Sequence, residues 1–115
     1  VGLCISTSCL RSADNDLKIG DSDYESLSFH KKGQIISGLM WDLGKKIGID
    51  NMAKITLKAV DFFAPNAGYA NFLESVMKAD KAINNGVNAC TFADLAKARK
   101  MDAYLSGVDC NSFKQ

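Results

Sequence analysis

From Ile35 onward the apolar residues of this chain return every three or four positions, and Pro65 is the single proline in 115 residues. An apolar stripe at that period is the buried face of an α-helix, so the pattern commits most of the chain to helices packed on one another. Ile35, Leu39 and Leu43 fall at i, i+4 and i+8, with Ile36, Met40 and Ile47 beside them and Lys31, Lys32, Gln34, Lys45 and Lys46 opposite. Gly48 suits the C-terminal cap of this first helix. Gly33, Gly38 and Gly44 each cost it roughly 1 kcal/mol relative to Ala. Close packing against a neighbouring backbone accounts for such a cost; close approach of a substrate is the sharper alternative.

The spacing predicts a second helix capped by Asp50, running to about Ala64 and stopped by Pro65. Its polar residues Asn51, Lys54, Lys58 and Asp61 form one narrow stripe among Met52, Ile55, Leu57, Val60, Phe62 and Phe63, which reads as a helix at the centre of the fold. A third helix is expected from about Ala70 to Asn84, burying Phe72, Leu73, Val76, Met77 and Ile83, with Gly86 beyond its end. Asp80 lies on that apolar stripe near the C-terminus, where a negative charge opposes the helix dipole, so a basic side chain or a backbone amide is expected to partner it. Thr91-Phe92-Ala93-Asp94 resembles a capping box that opens a fourth, shorter helix with Phe92, Leu95 and Ala96 inward. The fold class is therefore all-α, a small disulfide-stabilised bundle of about four helices. Its divisions are an irregular N-terminal arm (1–29), the bundle (30–101) and a C-terminal tail (102–115) held by Cys110.

Composition sets the class. With 47% apolar and 23% charged residues this is a globular chain, one domain long enough to bury about two thirds of its unfolded surface. Net charge is +1, without the basic excess of a nucleic-acid binder. No apolar run approaches the ~18 residues that span a bilayer, so neither nucleic acid nor membrane is an expected partner. Val1-Gly2-Leu3-Cys4 has neither an initiator Met nor the basic start of a signal peptide, and a processed chain or a piece of a longer one is expected. Cys4, Cys9, Cys90 and Cys110 lack Cys-x-x-Cys metal spacing and read as disulfides of an exported protein. Three pairings are possible; Cys90–Cys110 with Cys4–Cys9 is favoured, the first closing a loop that contributes about 3 kcal/mol on a chain-entropy model.

The residues that suggest chemistry lie ahead of the first helix. His30 is the only histidine, so it builds no catalytic metal site by itself. At the mouth of a helix it is placed to face a cleft, and Glu25, with Asp21 and Asp23 nearby, can orient the ring and hold it protonated. A protonated imidazole there can donate a hydrogen bond to a developing oxyanion. Arg11, in Leu10-Arg11-Ser12-Ala13-Asp14, can grip a carbonyl through its forked donors, although an ordinary surface ion pair uses the same residue types.

Taken together, Leu10-Arg11-Ser12, His30-x-x-Gly33-x-Ile35, Ser37-Gly38, Trp41-Asp42-Leu43, Ala79-Asp80 and the Asn85-Gly86 turn occur in an order that resembles the C-terminal helical domain of thermolysin-like zinc metallopeptidases and their fungalysin-type relatives, the gluzincins. The resemblance runs from Leu10 to about Tyr104. It implies that His30 donates to the tetrahedral oxyanion, that Arg11 holds a substrate backbone carbonyl, and that Glu25 orients His30, with Asp23 as a rival. It also implies a secreted zinc endopeptidase whose N-terminal catalytic lobe is this chain's partner and a peptide or protein its substrate. That family binds zinc through His-Glu-x-x-His and a downstream Glu. This chain has no His-Glu pair, so the resemblance assigns zinc to the missing lobe, no cofactor to this chain, and no catalysis to the chain alone. Gly44 departs from the pattern where relatives often carry Arg.

Two other readings use the same residues. One is a disulfide-stabilised helical binding module with no catalytic role, its groove lined by Met40, Met52, Met77 and Phe side chains, although at helical spacing such residues are usually core. The other is a degenerate peptidase lobe kept for binding or inhibition. If a catalytic lobe is missing, the first helix is expected to expose an apolar strip and to drive weak self-association.

Overall fold

The structure, a computed structural model, describes Lys18, residues 34–65 and residues 68–114. Four helices follow one another: α1 (Gln34–Ile47), α2 (Ile49–Ala59), α3 (Tyr69–Asn84) and α4 (Ala89–Ala98). Short 3-10 turns span Val60–Phe62, Asp102–Leu105 and Cys110–Phe113. Each helix packs on its neighbours in the chain, and α4 returns to α1, which closes a four-helix bundle. No strand occurs among the described residues.

Ile35, Leu39 and Leu43 of α1 are fully buried and meet Ile55 and Ala59 of α2, Leu73, Val76 and Met77 of α3, and Phe92 and Ala96 of α4 in one core. Ile35, Leu39 and Leu43 are thus covered by α2 and α4, contrary to the open apolar strip that a missing catalytic lobe was expected to leave on this helix. Met40 and Met77 are buried in the core and Met52 is half-buried against it. Met101 and Leu105 carry the same core into the C-terminal tail.

One residue separates α1 from α2. Gly48 has φ 97°, a value open to glycine and costly for side chains, and its N–H closes α1 on Gly44 O at 2.9 Å. Because α2 begins immediately after it, the expected cap at Asp50 falls inside the first turn. The α-helix ends at Ala59 and tightens into the 3-10 turn Val60–Phe62, leaving Phe63 extended. Pro65 disfavours helical backbone at Ala64, so the exit is complete before it. Helix α2 is also not central. Only Ile55 and Ala59 are buried, while Leu57 is 75% and Val60 55% exposed. Its apolar residues surround it without being covered by a fifth element among the described residues.

The turn after α3 is built from sequence. Asn85 takes the left-handed cap at φ 58°, and Gly86 follows at φ 78° with its N–H returning to Asp80 O at 3.2 Å. A Cβ on Gly86 would stand 1.9 Å from Phe113 O, so the last 3-10 turn rests directly on this glycine. The Cys90–Cys110 disulfide ties the same turn to α4. Helix α4 starts at Ala89, with Asn88 as its N-terminal neighbour, two residues ahead of the expected Thr91 box. Phe92 and Ala96 point into the core as read from the sequence, and Leu95 is half-buried. Ile83, expected inward, is 41% exposed.

Candidate functional site

His30, Arg11 and Glu25, together with Asp21, Asp23, Cys4, Cys9 and Gly33, lie outside the described residues. The structure describes the helix that follows His30 and what holds it. Gln34, the first residue of α1, is four positions after His30.

Helix α1 is locked to the end of α4 by a buried cation. Arg99 is 5% exposed, and its Nε donates to Asp42 Oδ2 at 2.9 Å. Its guanidinium lies flat on Gly38. A Cβ there would come within 2.5 Å of one guanidinium nitrogen and 2.7 Å of its central carbon. Asp42 also faces Lys45 one turn on, at 3.6 Å. A buried guanidinium is tolerable only with its donors engaged by an acceptor of fitting geometry, and Asp42 supplies one. The Gly44 site is filled by α2: a Cβ there would lie 2.7 Å from Ile49 Cδ1. Close packing therefore accounts for both described glycines of α1, but against side chains of Arg99, Ile49 and Met52 and not against a neighbouring backbone as expected. The Arg99 partnership had no local signal, since 57 residues separate it from Asp42.

Asp80 forms a second polar centre. It is 2% exposed, and its carboxylate accepts from Asn88 N at 2.8 Å, Asn88 Nδ2 at 2.9 Å and Asn84 Nδ2 at 3.0 Å. The expected backbone-amide partner is present, and two amide side chains join it. Asn84 extends the cluster to Asn51 Oδ1 of α2 at 3.3 Å. The cluster fixes the α3–α4 turn; every acceptor bond on the carboxylate comes from the turn or the helix that it closes. Among the described residues every fully buried side-chain nitrogen and oxygen has a hydrogen-bond partner, and no group of three or more His, Cys, Asp or Glu could hold a metal ion.

An open groove of about 520 Å³ runs between the Val60–Phe62 turn, the C-terminal half of α3 and the last 3-10 turn. Phe62, Lys78, Lys81, Ala82, Ser112 and Phe113 line it. Sequence spacing gave no sign of this surface, because its two phenylalanines, Phe62 and Phe113, come from turns 51 positions apart in the chain. No described helix is long and apolar enough to cross a membrane. No family model matches the chain, and neither the curated proteins nor the solved structures yield a match.

Proposed function

We propose that this chain is the substrate-cleft lobe of a secreted zinc endopeptidase, inactive alone and completed by an N-terminal lobe that carries the metal. One observation supports the reading above the others. Within the described part, five residues of the resemblance take part in contacts that hold the fold: Gly38 and Asp42 receive Arg99, Asp80 ties Asn84 and Asn88, and Asn85-Gly86 make the left-handed turn. The described helix nearest His30 in sequence is the one held by the buried Arg99–Asp42 pair. The Cys90–Cys110 disulfide supports export.

One histidine and no His-Glu-x-x-His do not make a His₂Glu zinc set. The metal belongs to the partner lobe in this reading, and the roles that follow concern this chain alone. The imidazole N–H of His30 donates to the scissile carbonyl oxygen as it gains negative charge. Glu25 accepts from the other ring nitrogen and fixes the ring's orientation. The Arg11 guanidinium donates to a backbone carbonyl of the peptide and sets its register in the cleft.

Kinetics of two variants in the complete protein test this. His30→Ala is expected to lower kcat by about 10²–10³-fold with zinc content unchanged. Arg11→Ala is expected to lower kcat/KM. Unchanged turnover in His30→Ala removes that residue from the mechanism, and loss of zinc would give it a different role.

A further inference from the structure

The walls of the groove beside α3 are held by contacts within the chain. On one side, the buried Ser75 hydroxyl donates to Phe62 O at 3.2 Å. On the other, Phe113 is seated on Gly86, and Cys110 at the start of its turn is bonded to Cys90. Ala82, a small exposed residue of α3, lines the groove together with the two phenylalanines. The charge along the lining has one sign. Lys78 and Lys81 line the groove with no acidic residue among the lining side chains; Lys58, 5.9 Å from the centre of the Phe62 ring, is paired with Asp61 at 3.2 Å. Lys78 is paired with Glu74 at 2.8 Å, whereas Lys81 forms no ion pair with a described residue.

We propose that this groove docks an acidic peptide segment, seating one aromatic or branched apolar side chain between Phe62 and Phe113 with flanking carboxylates toward Lys78 and Lys81. Its volume falls within the range of sites that take a small ligand or a large side chain, about 300–1,000 Å³. Because it is open along its length, it does not enclose an acyl chain, and a side chain projecting from a partner's backbone suits it better. Lys81, which forms no ion pair with a described residue, favours a carboxylate by charge complementarity, and the exposed Lys78–Glu74 pair is weak enough to exchange for another. The site is independent of the peptidase reading, since it uses neither His30 nor Arg11.

The test uses a dye-labelled peptide of sequence Asp-Glu-Phe-Glu-Asp, with fluorescence anisotropy at low salt. The intact chain is expected to bind it, and added salt to weaken binding. Ala82→Trp fills the groove without touching the core, and Lys81→Glu reverses the unpaired charge; each is expected to weaken binding at least tenfold. A peptide with Ser in place of Phe is expected to bind at least tenfold more weakly. Equal binding by Ala82→Trp, or by the Ser peptide, would reduce the contact to non-specific charge attraction and overturn the proposal. So would no binding at millimolar peptide, or binding only to vesicles of anionic lipid, which would make the patch a lipid-facing surface.

Discussion

At the scale of single residues, Gly38 shows how a cost visible in sequence is explained by a contact that is not. Replacing it with Ala gains about 1 kcal/mol of helix propensity. The new Cβ displaces the guanidinium from its seat beside Asp42, and a hydrogen bond to a charged group is worth about 1.5–3 kcal/mol. The loss outweighs the gain, so Gly38→Ala is expected to destabilise the chain by about 1–2 kcal/mol in urea unfolding. A stabilised variant would mean that Arg99 can turn aside freely. The position of the glycine was legible in the sequence as an anomaly; its partner was not, because periodicity carries no information about an arginine that leaves its own helix to reach another. Asp80 was more readable. A carboxylate on an apolar stripe at the wrong end of a helix dipole demands donors, and an Asn-Gly turn that brings Asn88 back is close in sequence.

At the scale of elements, the helices and most of their inward faces followed from apolar spacing, and the misplacements have local causes. The start of α2 moved to Ile49 because Gly48 turns the chain within one residue, a conformation that no side-chain cap had to supply. Helix α4 opened before Thr91 because the Asp80–Asn88 cluster places the turn there. The larger error was to read α2 as central from its apolar circumference. Hydrophobicity says what a residue would gain from burial, not whether an element exists to cover it. The two faces of α2 therefore separate in a mutational test. Ile55→Ala, at a fully buried site, is expected to cost about 3 kcal/mol. Leu57→Gln, on the open face, is expected to change stability by less than about 0.5 kcal/mol. Comparable losses at both positions would mean that the outer face is covered in solution.

At the scale of the whole molecule, the bundle is closed twice: by α4 against α1 through Arg99, and by the C-terminal turns against α3 and α4 through Gly86 and the disulfide. Replacing Cys90 and Cys110 together with Ala is expected to remove about 3 kcal/mol, on the chain-entropy account of a loop of this size. For a domain of this length that is a fall in unfolding midpoint on the order of 10 °C or more. An unchanged midpoint would show that Phe113 on Gly86 suffices to hold the tail. The proposed chemistry rests on residues in order, with His30 and Arg11 ahead of a helix in sequence and outside the described residues, and the proposed partner lobe is what remains to be tested. The most direct measurement is therefore the sequence of the native protein ahead of Val1, read by mass spectrometry of the purified parent. The account predicts a helix carrying His-Glu-x-x-His with a further glutamate downstream. A signal peptide joined directly to Val1 would contradict it and leave a free-standing helical binding module.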